Sequence, residues 1–163
     1  MITRLLAADR IVVPWKNGGG VTREVAVSPP GAGMADFDWR VSTAEVTQAG
    51  PFSRFDGIDR HLTVLRGKLR LDFSDHSVTL GPLDSLAFSG SEAVAGVPLE
   101  PVLDLNVMSR RGKTTATVRQ VEGDVQMTSR VALLIDLQSL DAIHIEDETR
   151  LAGVAPSLLI ELG

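Results

Sequence analysis

Pro14-Trp15-Lys16-Asn17-Gly18-Gly19-Gly20 sets a large aromatic, a cation and a carboxamide immediately before three residues without side chains, and Val21-Thr22-Arg23-Glu24 follows at once. Glycine reaches dihedrals and close approaches that a Cβ forbids, so such a turn can carry backbone N–H groups up to a ligand. Pro14 stiffens the entry. Further along, Asp104, Asn106 and Met108 alternate with Leu103, Leu105 and Val107, which puts polar groups on one face of an otherwise apolar strand. Such a face needs water or a lined cavity. Arginine presents a planar fork suited to a carboxylate, lysine a point charge, and asparagine both a donor and an acceptor. If the glycine turn and the Asn106 strand look into one mouth, the ligand-binding candidates are Trp15 as a flat wall with Lys16, Asn17, Gly18, Thr22, Glu24, Arg40, Ser42, Arg60, Asn106 and Met108. This is an inventory for a small polar acid.

Each residue also has a purely structural account. Arg40 and Glu24 can pair across neighbouring strands. Trp39, flanked by Phe37 and Val41, reads as core. Asp59-Arg60 can staple a turn, and Arg110-Arg111 can be a solvated strand end. Lys16 is the residue that folding alone explains least. For catalysis, Glu24 is a candidate general base and Lys16 a candidate electrophile, which would suit a metal-independent isomerase or lyase acting on a small acidic substrate. No Ser, Cys or His constellation for nucleophilic catalysis is visible. Binding is therefore the leading expectation and catalysis the alternative.

The elements that would position these groups are strands. Val21 to Val27 and Phe37 to Val46 alternate with the period of half-buried strands. Arg60 to Phe73 reads as two strands hinged at Gly67 into a hairpin. Shorter strands follow at Ser77 to Leu80, Ser85 to Phe88 and Val102 to Met108. From Thr114 onward come Thr114 to Val121, Val131 to Leu137, Ala142 to Ile145, Thr149 to Leu151 and Ser157 to Leu162. No segment holds a helical period, so the chain reads as all-β. A faint echo links Leu62 to Leu65 and Val102 to Leu105 with Val131 to Ile135 and Ser157 to Leu162, which suggests two lobes.

The 163 residues suffice for one compact unit or two small fused lobes, and 44% hydrophobic with 23% charged residues is ordinary globular composition. A net charge of −5 without a basic run argues against nucleic acid and against an anionic membrane surface as partners. Without cysteine there is no disulfide, thiolate nucleophile or zinc-thiolate site. No segment approaches the roughly 20 apolar residues of a membrane span. A cytoplasmic location is expected.

Pro14-Trp15-Lys16-Asn17-Gly18-Gly19-Gly20, Thr22-Arg23-Glu24, Asp38-Trp39-Arg40-Val41-Ser42, Gly50-Pro51-Phe52-Ser53, Gly57-Ile58-Asp59-Arg60 and Asp104 to Arg111, in this order, resemble the HutD/Ves family. The resemblance covers residues 12 to 112 and is weaker beyond. It implies a cupin-type β-sandwich or barrel in a double (bicupin) arrangement, with an N-terminal lobe at 1–112 and a smaller β lobe at 113–163. It also implies a link to histidine utilisation or its control, and hence an acid such as urocanate or an N-substituted glutamate as ligand. The family carries no settled enzymatic activity. The His-x-His pair of metal-binding cupins is missing: His61 stands alone, and His76 and His144 lie far along the chain. No metal or cofactor is expected, and free edge strands allow a homodimer.

Overall fold

The computed structural model describes residues 1–163. Its fifteen strands run β1 (Ile2–Leu5), β2 (Val12–Pro14), β3 (Gly20–Ser28), β4 (Trp39–Val46), β5 (Gly50–Pro51), β6 (Ile58–Arg66), β7 (Leu69–Asp72), β8 (Ser77–Leu80), β9 (Ser85–Ser89), β10 (Ala95–Pro98), β11 (Val102–Arg110), β12 (Ala116–Gln126), β13 (Val131–Asp136), β14 (Ala142–Glu146) and β15 (Arg150–Leu162). The fold is all-β, with a single 3-10 turn at Ala7–Asp9. No helix is long and apolar enough to cross a membrane.

The chain divides into two compact units, Ile11–Arg111 and Met1–Arg10 with Gly112–Gly163. The first ten residues thus group with the C-terminal strands and not with residues 11 to 111. The cause is β1, whose Ile2 and Leu5 lie opposite Ile145 and Ala142 of β14.

In the first unit, a six-stranded sheet ordered β2-β3-β4-β11-β6-β9 stands with a four-stranded sheet ordered β5-β10-β7-β8. Leu62 and Val64 of the larger sheet and Leu69 and Leu71 of the smaller one are fully buried in one cluster, which also takes Val46, Leu80 and Val102. Arg60 to Phe73 is not a hairpin. β6 pairs with β11 and β9, whereas β7 pairs with β10 and β8. Gly67, at φ +85°, turns the chain from one sheet to the other, passing so close to Pro101 that a Cβ would strike its carbonyl. Two short strands, β5 and β10, occupy segments whose Gly and Pro read in sequence as breaks. They are edge or partner strands of the small sheet, where a missing N–H is tolerated.

In the second unit the sheet is ordered β1-β14-β13-β15-β12. β15 is continuous where the sequence suggested two strands. It carries register shifts around Gly123, opposite the stretch that separates the two expected strands, Thr149 to Leu151 and Ser157 to Leu162. The buried Glu161 carboxylate accepts hydrogen bonds from the backbone N–H groups of Thr128 and Ser129 and from the Thr128 hydroxyl, tying the β12–β13 turn to β15. Across the sheet the strands run β12, β15, β13, β14, that is first, fourth, second and third in chain order, all antiparallel. β4, β6, β9 and β11 take the same path. The echoing segments of the sequence fall on β6 and β11 in one unit and on β13 and β15 in the other, the same steps of that path.

At the β2–β3 turn, an alanine at Gly20 would bring its Cβ into the Glu45 carbonyl and 3.2 Å from the Trp15 ring. Gly18, at φ +75°, has open space around it. Gly20→Ala should therefore lower unfolding stability by about 2–4 kcal/mol and Gly18→Ala by roughly 1 kcal/mol. Urea denaturation of the two variants checks the ranking.

Candidate functional site

The register of the six-stranded sheet lays the site out in rungs. Thr22, Ala44, Asp104 and Val64 form one, Glu24, Ser42, Asn106 and Leu62 the next, and Val27, Arg40, Met108 and Arg60 the third. Side chains two apart on a strand share a face, so on one face of the sheet the apolar Val64 and Leu62 of β6 stand beside the polar Asp104 and Asn106 of β11, with Arg60 following on β6. Both irregularities of the sheet sit beside those groups, between Glu24 and Ala26 and opposite Leu103 and Asp104. Bulges re-aim side chains in this way.

A cavity of about 500 Å³ opens over this face. Of the candidate residues, Trp15, Lys16, Asn17, Thr22, Arg40, Ser42, Arg60, Asn106 and Met108 line it; Gly18 and Glu24 do not. Glu24 holds the Arg40 guanidinium instead, at 3.0 Å to Nε. That contact engages only Nε of Arg40. The glycine turn presents no free backbone donors from Gly18 or Gly19, because the Gly18 N–H donates to the Trp15 carbonyl and the Gly19 N–H to Asn17 Oδ1. Gly18 serves the positive φ of the turn and Gly20 the close approach to β4.

Trp15 is fixed from two sides. Its Nε1 donates to Thr22 Oγ1 at 2.7 Å, and its ring meets Phe52 edge-on, with centroids 6.2 Å apart. Phe52 is itself seated by Gly96, where a Cβ would stand 2.6 Å from the ring. Phe52, Phe55, Met34 and Asp104 line the cavity without having been candidates. For Phe52 and Phe55 the available signal was an aromatic placed inside Gly- and Pro-rich breaks near a cation. For Asp104 it was the shared face with Asn106.

Arg60 sits at the centre. The residue is 8% exposed, and its Cζ lies 5.1 Å from the Phe88 ring centroid and 5.6 Å from those of Phe52 and Phe55. Three aromatic faces around a desolvated guanidinium are favourable. Nη2 donates to Asn106 Oδ1 at 3.0 Å, and Asn106 Nδ2 donates to Asp104 Oδ1 at 2.8 Å, so the carboxamide bridges cation and acid. Nη1 reaches the Ser53 carbonyl only at 3.5 Å, and Nε has no partner. Burial pulls Arg60 down to about 10, against the attraction of Asp104. Burial likewise pushes Asp104 up to about 7, against Arg60 and the Asn106 hydrogen bond. Desolvation outweighs the mutual attraction because Asn106 stands between the two groups.

The remaining sequence readings are structural. Trp39 is core. Arg110 braces the Phe37 and Ala35 carbonyls, and Arg111 pairs with Asp59. His76 stacks on Phe73 at a hairpin tip, His144 lies in β14, and His61 is on the face of β6 opposite Arg60. No three His, Asp or Glu side chains gather where they could hold a metal ion.

The Asp104 shift fixes a pH dependence. Its folded value, about 7, lies above the ordinary 3.8. The folded protein therefore keeps a proton that the unfolded chain releases, and this contribution to stability is complete below the ordinary value and lost as pH rises through about 7. Between pH 5 and pH 8, the stability of Asp104→Asn relative to the parent should rise by on the order of 1–3 kcal/mol. Urea unfolding at both pH values checks it, and an unchanged difference contradicts it.

Comparison with known proteins places this geometry in a family. The HutD family model matches residues 7–154. Protein Ves of Escherichia fergusonii is 39% identical over 109 residues, covering 64% of this chain; the match spans only 56% of that protein's length. An uncharacterized 21.2 kDa protein in the hutC 3′ region of Pseudomonas putida is 34% identical over 135 residues, 80% of this chain and 70% of that one. The solved structure of HutD from Pseudomonas fluorescens SBW25 (formate condition) superposes with a TM-score of 0.89 at 28% identity, over 99% of this chain and 98% of that one. KdgF from a Halomonas species superposes with a TM-score of 0.54 over 67% of this chain and 95% of that one. Its 18% identity makes it a likeness of fold alone. The chain belongs to the HutD family.

Proposed function

We propose that the first unit binds a small organic acid in the cavity beside Trp15. The observation that carries this reading is the convergence of three cations, Lys16, Arg40 and Arg60, on one aromatic-walled cavity in a protein of net charge −5. Lys16 is exposed and forms no ion pair, Arg40 is engaged only through Nε, and Arg60 Nη1 meets the Ser53 carbonyl only at 3.5 Å. Each therefore retains donors for a carboxylate. Family membership and the hutC-region relative support an acid of histidine breakdown, such as urocanate or an N-substituted glutamate, and a role in histidine utilisation or its control. The shared strand path of the two units supports reading the second as a reduced cupin lobe. The absence of cysteine is compatible with a cytoplasmic location.

A second reading is a metal-independent isomerase or lyase on such an acid. It draws support from Asp104, a carboxyl in the cavity that titrates near neutrality, where a general acid or base is most effective. Glu24 is less suited to that role, being outside the cavity and bound to Arg40.

Calorimetric titration with urocanate and with N-acetylglutamate should give saturable binding. Lys16→Ala should weaken it about tenfold while leaving the melting temperature unchanged, since that side chain supports no contact in the fold. Arg60→Lys should weaken it at least as much, because a lysine cannot supply the fork. Absence of binding by either acid contradicts the proposal. NMR of the incubated acid separates binding from turnover.

A further inference from the structure

Asp104 is the one acid lining a cavity otherwise furnished with cations. It is 1% exposed, and the protein supplies it a single hydrogen bond, from Asn106 Nδ2 to Oδ1. Its second oxygen, Oδ2, accepts nothing from the protein. The Asn106 amide cannot turn round to serve a ligand differently, because Arg60 holds its carbonyl oxygen. A cavity meant only for a carboxylate gains nothing from an acid in its wall, since the two would repel. The acid sits two residues along β11 from Asn106, to which the Arg60 guanidinium reaches back from its own rung at Met108. Two residues of strand advance about 7 Å.

We propose that Asp104 makes this site selective for acids that also carry an N–H donor: the carboxylate lies at the Arg60 guanidinium, beside Asn106, and the N–H donates to Asp104 Oδ2. This rests on the acid-binding reading and adds the second recognition element. The ligand class is a small acid with an amide, imidazole or ammonium N–H several ångströms from its carboxylate. Four other ionisable groups face or flank the site and keep their places in this scheme. Arg60 on β6 takes the carboxylate, Glu24 on β3 holds Arg40 on β4, and Lys16 stands on the turn before β3. Selectivity of this kind is strong, because an analogue lacking the donor leaves a buried carboxylate without its partner.

The test uses three acids of similar length at pH 8: 4-acetamidobutyrate, its N-methyl derivative and hexanoate. Affinities are read by chemical-shift titration of the full chain. The parent protein should bind 4-acetamidobutyrate at least about tenfold more tightly than either of the others. In Asp104→Asn, the amide can accept from Asn106 at Oδ1 and then presents Nδ2 to the cavity, a donor in place of an acceptor. There the preference should shrink to within about twofold, while hexanoate binds no more weakly than to the parent. If all three acids bind the parent equally, or if the preference survives in Asp104→Asn, the selectivity assignment is overturned and acid binding stands. If none of the three binds, the acid-binding reading falls and this inference with it.

Discussion

One desolvated guanidinium organises the first unit. Arg60 is enclosed by Phe52, Phe55 and Phe88 and joined through Asn106 to Asp104, and every group in that chain is buried or nearly so. A buried cation is tolerable only when its environment replaces water. Here the replacement is incomplete: the aromatic faces and one carboxamide satisfy part of the guanidinium, Nε is buried without a partner, and the residue lines a cavity. Both members of the pair are held away from their charged forms relative to water, Arg60 downward and Asp104 upward, by burial first. An anion entering the cavity would supply Arg60 with the compensation that the protein withholds.

The sheets exist in a form that keeps this arrangement open. At the end of the sandwich where Leu62, Val64, Leu69 and Leu71 meet, both sheets contribute apolar side chains and the interior is filled. On β4 and β11 the same face turns polar, and Phe37, Ile58 and Met108 with Phe55 form a separate apolar cluster. The polar space borders both clusters. Its walls are held by small, local devices: the Trp15 to Thr22 hydrogen bond, the Gly96 gap that receives Phe52, and the Glu24 grip on Arg40.

Much of this was legible in the sequence, and what was not has physical reasons. Strands with clean period-2 alternation, such as Ser77–Leu80 and Val102–Arg110, declare themselves, since alternation follows from the pleat. The strands β5 and β10 did not, because Gly and Pro at sheet edges look like turns until the pairing partner is known. Gly67 announced a reversal but not its kind: a glycine at positive φ serves a hairpin and a crossing between sheets equally well. At the site, nine residues chosen for their chemistry line one cavity. Of the two readings of Glu24, pairing with Arg40 is the one the structure bears out, and Glu24 does not line the cavity. Asp104 was passed over although its alternation with Asn106 was evident, because an acid looks out of place among groups chosen for an anion.

An acid entering the cavity should go to the Arg60 guanidinium. The direct measurement is the Arg60 Nε–Hε resonance, followed by NMR as urocanate is added. The account predicts that this one side-chain signal moves saturably, with the same apparent affinity as the backbone amides around Asn106, and that the Arg111 side chain, paired with Asp59 at the surface, stays still. Saturable binding that leaves the Arg60 signal unmoved would contradict it.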